Sequence, residues 1–412
     1  MKKGQHHPHL VMLLTQDLNS PSGLGRYFPL AKYLVRQNYH VTILALHSNI
    51  EAEKTRDFWD QGVHIRYVSQ MHVLKIHNRT EYFPVIELIK VVINATKRLT
   101  QEAMKESPDL VFVGKPHPMN GIAGLRVARS KSVPLILDCD DYEAESNKTN
   151  HIWQKTVLRC FEDSLPKMAD LVTTNTYFNK DRIQKLGVDE KKIHYIPNGV
   201  DTDRFQSASV DRLKSLRDSL GLGNNKVVGY FGSLNLANHP VDLLVKSFAR
   251  VYQNNEKVRL LIVGGGGDME RLRALVKELN IEKGVVFTGR VDPNEINAYY
   301  QLADVSVDPV NDTLADRGRC PLKIFESWQM GVPVISGHVG DRKKLGGVPA
   351  AISLYKPGDE AQLSQLLIEL IKDANKLSNL RAQGFLRVKN YSWERIANYS
   401  KTIFQEFFER DR

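Results

Sequence analysis

The sequence predicts an α/β protein made of two facing, doubly wound, Rossmann-like domains with a cleft between them. Three observations lead there. The 412 residues exceed what one hydrophobic core usually serves. Short apolar runs alternate with helical stretches, the signature of parallel strands joined by crossover helices. That alternation stops at Pro197-Asn198-Gly199-Val200-Asp201, a turn-rich stretch suited to a hinge, and then restarts. Ligands of such sheets bind beyond the carboxyl ends of the strands, so the cleft is where a site is expected.

In the first half, apolar runs place strands at Leu10–Leu14, Val41–Leu46, Leu110–Val113, Leu135–Leu137, Leu171–Thr173 and Ile193–Ile196. Helical periodicity falls between them, at Arg26–Arg36, Val85–Lys105 and Trp153–Lys167. After the hinge, strands are expected at Val227–Tyr230, Arg259–Val263, Val285–Phe287, Val305–Val307 and Val332–Ile335. The matching helices are Val241–Tyr252, Met269–Leu279, Glu295–Gln301 and Pro321–Met330. The last of these starts on a proline and stops at Gly331, which are good start and stop signals. The tail from Ala361 is helical in pattern, and Tyr391-Ser392-Trp393-Glu394 opens its final helix. The expected division is 1–203, 204–390 and a terminal helix 391–412.

Composition narrows the class. Hydrophobic residues make up 42% and charged residues 25%, as in ordinary globular proteins. No apolar run approaches the ~20 residues that span a bilayer. Met1-Lys2-Lys3-Gly4, with His6, His7 and His9 following, lacks a secretory core and reads as a frayed, exposed start. Three cysteines, Cys139, Cys160 and Cys320, have no pairing or metal-ligand spacing, which fits a reducing cytoplasm. The net charge of +10 is interspersed and forms no arm or block. A nucleic-acid role is not expected, whereas peripheral contact with an anionic membrane, at its inner face, is compatible with that charge.

Several constellations carry chemistry. Lys323 and Glu326 lie three apart in the first turns of the Pro321 helix, where open N–H groups and the helix dipole favour an anion. A cation there adds to diphosphate binding, and a carboxylate suits sugar or ribose hydroxyls. Arg317-Gly318-Arg319 precedes that helix and offers two guanidinium groups as a diphosphate clamp, or else a solvated loop. Gly23 and Gly25 follow the first strand, where backbone N–H groups can approach a phosphate or sugar, although a glycine pair also simply makes tight turns. Gly264-Gly265-Gly266-Gly267 invites a dinucleotide reading, but the next strand ends in Phe287-Thr288-Gly289-Arg290 without the ribose-binding acid. A dehydrogenase is therefore disfavoured. Asp138-Cys139-Asp140-Asp141 ends a strand and could hold a divalent metal, cap a helix or accept from sugar hydroxyls, with no further ligand identifiable. Lys115-Pro116-His117-Pro118 ends another strand, its side chains pointing at a ligand or equally well solvated.

Ala169-Asp170-Leu171-Val172-Thr173 and Ile193-His194-Tyr195-Ile196-Pro197-Asn198-Gly199-Val200-Asp201, with Phe205, resemble the domain junction of the family-4 retaining glycosyltransferases. Val263-Gly264-Gly265-Gly266, Val286-Phe287-Thr288-Gly289 and Phe325-Glu326 to Pro333-Val334 follow in the order of that family's second domain. The resemblance covers nearly the whole chain and implies a GT-B fold, with an acceptor-side first domain, a nucleotide-sugar domain after it, and a terminal helix 391–412 that crosses back to the first domain. It implies that Glu326 accepts from the donor ribose, that the backbone around Arg290 faces the base, and that Gly23 and Gly25 lie near the phosphates and sugar. Asp140 or Asp141 falls near a histidine position that touches the sugar in many members.

The chain also departs from that pattern. Gly318 replaces the first glutamate, and Phe231-Gly232-Ser233-Leu234 with Asn238-His239 stand where many members have an arginine and a lysine. Lys323, Arg317 and Arg319 are the substitutes available for the diphosphate. The donor set then comprises Glu326, Gly23, Gly25, Ser233, Gly264, Gly265, Arg290, Gly318, Cys320, Pro321 and Leu322. Lys323, Arg319 and Asp140 are the expected catalytic residues, and Lys115, His117 and Asp141 the acceptor residues. The implied activity is retaining transfer from a nucleoside diphosphate sugar, the co-substrate, to a hydroxyl of a glycan or lipid-linked acceptor. It belongs to cell-envelope glycan, polysaccharide or glycolipid synthesis, and neither metal nor cofactor is required. A nucleotide-sugar epimerase and a non-catalytic partner subunit are the alternatives, the second favoured by the lost positions.

Overall fold

The computed structural model describes residues 7–76, 79–147 and 151–409. Met1–Gly4 and His6, read above as part of an exposed start, lie outside the described residues. The chain forms two compact units. The first comprises the residues up to Asn198, Gly318–Cys320 and those from Trp393 onward; the second comprises Gly199–Arg317 and Pro321–Ser392. Among the described residues, no helix is long and apolar enough to cross a membrane.

The first unit contains β1 (His9–Leu14), β2 (His40–His47), β3 (Asp57–Asp60), β4 (Val63–Gln70), the hairpin β5 (Val73–Ile76) and β6 (Arg79–Tyr82), β7 (Leu110–Gly114), β8 (Leu135–Cys139), β9 (Leu171–Thr174) and β10 (Ile193–Tyr195). Its helices are α1 (Phe28–Val35), α2 (Val85–Lys105), α3 (Pro118–Lys131), α4 (Glu143–Ser146), α5 (Ile152–Met168) and α6 (Tyr177–Lys185). Eight strands order as β10-β9-β8-β7-β1-β2-β4-β3, all parallel except the edge strand β3. From Leu10 onward β1 is apolar because both sheet faces are covered. Leu10, Met12 and Leu14 face one core, and Val11 and Leu13 the other. The expected helix from Arg26 begins instead at Phe28, after a wider π turn over Gly23–Tyr27.

The second unit holds α7 (Val210–Ser219), β11 (Lys226–Phe231), α8 (Val241–Asn254), β12 (Val258–Val263), α9 (Met269–Glu278), β13 (Val285–Gly289), α10 (Ile296–Gln301) and β14 (Val305–Asp308). It continues with α11 (Leu314–Arg317), α12 (Leu322–Gln329), β15 (Val334–Gly337), α13 (Arg342–Gly346), β16 (Ile352–Tyr355), α14 (Glu360–Lys372) and α15 (Ala374–Val388). The parallel sheet orders β13-β12-β11-β14-β15-β16. Strand succession therefore reverses between β11 and β14, as it does between β1 and β7 in the first unit, and the carboxyl ends there are where such sheets hold ligands. The last helix, α16 (Trp393–Glu409), returns to the first unit, where Trp393, Ile396, Ala397, Ile403 and Phe404 join the core beside α1.

His9 corrects the expectation of an exposed start. It belongs to β1 and is buried, its Nε2 2.9 Å from Thr42 Oγ1 and its ring stacked on His40. Burial, then His40, lowers its pKa; burial, then His117, lowers that of His72 to about 4. Folding thus keeps both rings neutral where an unfolded imidazole takes up a proton near pH ~6.5. The unfolded state binds more protons below that pH, so the contribution is complete above it and lost as pH falls toward 4. Denaturant midpoints should decline over that interval, and His72→Gln should remove up to roughly 3 kcal/mol of the pH dependence. An unchanged slope in the variant would show that His72 titrates normally.

Candidate functional site

In the second unit the loops that end β11, β12 and β13 are drawn together by backbone hydrogen bonds. Gly232 N–H donates to Val263 O, Gly264 N–H to Gly289 O and Leu234 N–H to Gly265 O, each at 3.0 Å. A Cβ on Gly264 would lie 1.9 Å from Gly232 O, and its φ of +145° also excludes other residues. The aliphatic stem of Arg290 lies over Gly265. The glycine run is thus required first by loop-on-loop packing. It leaves Gly232 and Ser233 exposed at the switch point, Ser233 O accepting from Tyr230 Oη at 2.8 Å.

Lys323 meets this loop from the first turn of α12, whose N-cap is Pro321 and whose first residue is Leu322. Its ammonium lies 3.3 Å from Asp308 Oδ1 at the end of β14 and over the Tyr230 ring, 5.2 Å from the centroid. Gly232 borders its stem. Asp308 also accepts from Arg342 Nε and Ser336 Oγ, both at 2.8 Å. Burial would raise the Asp308 pKa, but Arg342 and then Lys323 hold it well below the carboxylate range. Arg342 is turned inward to Asp316 O and Val339 O. Lys323 is the partner nearer to solvent, its side chain 12% exposed against 1% for Arg342.

One turn on, Glu326 Oε2 accepts from Tyr300 Oη at 2.7 Å, and Oε1 lies 3.7 Å from an Arg204 nitrogen. Tyr300 is itself clamped, its ring stacked on Phe231 at 3.8 Å and edge-on to Phe205. Burial, then Glu326, keeps its hydroxyl protonated and donating. Tyr300→Phe should therefore loosen the Glu326 carboxylate. We expect about a five- to tenfold rise in KM for the donor with kcat little changed, from one lost hydrogen bond to a charged group. An equal fall in kcat and kcat/KM instead would place Tyr300 in the transition state.

In the first unit the switch point holds a buried ionic cage. Lys115, at the end of β7 with φ +71°, places its ammonium 2.6 Å from Glu143 Oε1, 3.1 Å from Asp140 Oδ1 and 3.3 Å from Asp141 Oδ2. His117 Nε2 is 2.9 Å from the other Glu143 oxygen. Lys115, His117, Asp140 and Glu143 are all buried, so the solvated alternative for Lys115 and His117 is overturned. Burial alone would lower Lys115 and raise Glu143, but Asp140 and then Glu143 hold the Lys115 ammonium charged, while Lys115 and then His117 hold the Glu143 carboxylate ionised. Burial carries Asp140 the other way, up to about 8. Glu143 supplies the further carboxylate that the sequence did not identify, near enough to share a cation with Asp140 and Asp141. The Lys115 ammonium already lies among those oxygens and answers their charge.

Asp138 faces elsewhere. Its carboxylate takes a bidentate pair from Arg26 at 2.6 and 2.7 Å and accepts from Thr173 at 2.6 Å. Gly23 is also reassigned: its N–H donates to Ser20 Oγ at 3.1 Å, so it is not open to a phosphate, and a Cβ would meet Asp17 O at 2.5 Å. Gly25 is buried in the same π turn. Arg317 is exposed and engaged with Asp312 through two bonds, which corrects its place in a diphosphate clamp. Arg319 is half-buried between Gly318 and Cys320, whose carbonyls accept from Asn179 and Asn198. Arg290 is exposed. Cys139 and Cys320 are buried and Cys160 is exposed. Beside the Gly23 turn lies a cavity of about 300 Å³ lined by Leu18, Leu24, Phe28, Phe58 and Tyr67, with Glu53 and Asp60, which no sequence pattern indicated.

Comparison with known proteins bears on both units. Residues 23–204 match the model described as Glycosyltransferase Family 4, and residues 225–373 match Glycosyl transferases group 1. A GDP-mannose-dependent alpha-(1-6)-phosphatidylinositol monomannoside mannosyltransferase of Mycobacterium tuberculosis is 28% identical over 252 residues, 59% of this chain and 62% of that protein. An alpha-monoglucosyldiacylglycerol synthase of Streptococcus pneumoniae is 26% identical over 52% of this chain and 49% of its own length. The chain thus spans less than two thirds of these relatives. Among solved structures, sucrose-phosphate synthase of Thermosynechococcus elongatus superposes with a TM-score of 0.78 at 17% identity, covering 98% of this chain and 100% of that one. Anabaena HepE in complex with UDP gives 0.70 at 18% identity, covering 97% and 100%. At such identities the likeness is one of fold.

Proposed function

Since the chain belongs to the family-4, group 1 glycosyltransferases and has their GT-B fold, we propose that it transfers a sugar from a nucleoside diphosphate sugar to an acceptor hydroxyl with retained configuration. The observation that carries this reading is the second unit's switch point. There Lys323, backed by Asp308 and Arg342, stands at the α12 N-terminus one turn from an anchored Glu326. A diphosphate beside Lys323 meets a positive charge and the open N–H groups of α12, while a ribose reaches Glu326. The Gly289-Arg290 backbone is left for the base, with Ser233, Gly264, Gly265, Pro321 and Leu322 lining the donor.

The chemistry asks chiefly for stabilisation of the leaving group. As the bond from the anomeric carbon to the diphosphate oxygen lengthens, negative charge grows on that oxygen, and a preorganised cation lowers the barrier. The acceptor hydroxyl attacks the same face of the anomeric carbon and passes its proton to the departing diphosphate. The products are a glycoside and a nucleoside diphosphate. Arg319 and Asp140 assist at the reacting centre, and Lys115, His117 and Asp141 orient the acceptor. No metal is needed in this scheme. The acceptor we propose is a lipid-linked or envelope glycan hydroxyl presented at the inner face of an anionic membrane. This accords with the phosphatidylinositol monomannoside and monoglucosyldiacylglycerol in the relatives' names.

The test is a panel of nucleotide sugars scored by thermal shift, because a ligand bound only to the native state raises its melting point. One nucleoside diphosphate sugar should stabilise the chain, less so in Lys323→Ala. Turnover should survive EDTA, and the product anomer should match the donor by NMR. No stabilisation by any nucleotide sugar or nucleoside diphosphate would leave the non-catalytic partner reading, and an inverted anomer would remove the retaining mechanism.

A further inference from the structure

The helix α2 has two apolar faces, and the fold uses one. Its C-terminal half buries Ala95, Thr96, Leu99 and Ala103, and Val92 packs against the same core. Ile86, Ile89 and Ile93 recur at i, i+3 and i+7, a separate stripe on the outward side. They are 73%, 47% and 63% exposed, far from the usual state of isoleucine. Val85 and Tyr82 extend this patch toward the β5–β6 hairpin. Lys90 and Lys97 follow Ile86 and Ile93 by four residues, so each ammonium flanks the stripe, and both are exposed.

A second patch stands on the same side of the unit. α2 packs on α3 and α3 on α5, and these helices all begin at the carboxyl edge of the sheet. The first turns of α5 expose Ile152, Trp153 and Val157, next to Lys155 and Arg159, which share Glu145. We propose that the outward stripe of α2, with the start of α5 beside it, is a docking surface for an anionic lipid bilayer. Its isoleucines enter the headgroup boundary, and its lysines meet lipid phosphates.

Charge selects this occupant. Residues 73–98 carry five Lys or Arg against Glu81 and Glu87, in a chain of net charge +10. An apolar stripe flanked by lysines is the pattern of a helix lying in the interface plane. A second copy fits less well, because two-fold pairing of the same stripe brings its flanking lysines toward one another. The inference stands apart from the transfer reaction, since vesicle binding needs no donor.

The experiment is co-sedimentation of the full chain with phosphatidylcholine vesicles, with and without phosphatidylglycerol. Binding should require the anionic lipid and weaken with salt. Ile86→Ser/Ile89→Ser/Ile93→Ser should lower partitioning by about tenfold or more at unchanged melting temperature. Lys90→Gln/Lys97→Gln should lower it several-fold and flatten the salt dependence, a readout that remains if the triple variant folds poorly. Wild-type protein left in the supernatant with both vesicles would overturn the proposal. So would a triple variant that binds like wild type. A concentration-dependent dimer, abolished by the triple variant in the absence of vesicle binding, would assign the stripe to a second copy instead.

Discussion

Replacing Lys323 by alanine should lower the transfer rate by roughly 10²-fold or more, the scale seen when one preorganised oxyanion partner is removed. Most of the loss should fall on kcat, because negative charge on the diphosphate grows as the glycosidic bond breaks. The fold should survive. Asp308 keeps its bonds to Arg342 and Ser336, so the buried carboxylate is not stranded. The melting temperature without ligand should therefore move little, and steady-state kinetics at saturating donor isolates the effect. Turnover within a few-fold of wild type would remove this ammonium from the mechanism.

Arg26→Ala is expected to have the largest effect on stability, about 3–5 kcal/mol. The guanidinium is buried, makes the bidentate pair with Asp138, and donates to Ile196 O and Asn198 Oδ1 at 3.1 and 3.0 Å. Burial would lower its pKa, but Asp138 holds it firmly cationic, so removing it strands a carboxylate in the core. The measurement is a denaturant titration followed through the first unit, where Trp393 is a buried reporter. Asp138→Asn in the Arg26→Ala background should recover part of the loss, as a double-mutant cycle would show. A cost below about 1 kcal/mol would mean that water replaces the guanidinium.

The parts of the fold that were legible in the sequence are those with strong local signals. α2 was expected at Val85–Lys105 and spans those residues, because its apolar spacing is long and continuous. β15 was displaced by two residues, since Val332-Pro333 reads as strand by composition whereas Pro333 cannot donate to a ladder. β3 and β4 were missed, although Val63 to Val68 alternates buried and half-buried side chains in the manner of a strand near a sheet edge. At the site, Lys323 and Glu326 stood out by spacing on one helix. Their partners did not: Asp308, Tyr300 and Arg342 come from other elements, and only the strand-end position of Asp308 hints at a role. The Lys115 cage was hidden for the same reason, because Glu143 joins it through the turn after β8.

The return of α16 to the first unit has a consequence for how the chain is made. Val200 N–H donates to Tyr391 O at 2.8 Å, and Val200 bridges Ser392, so the second unit's two ends lie side by side. The first unit is completed differently, for Trp393 and Phe404 reach its core only after everything between has been translated. The half begun first is thus the half whose core closes last.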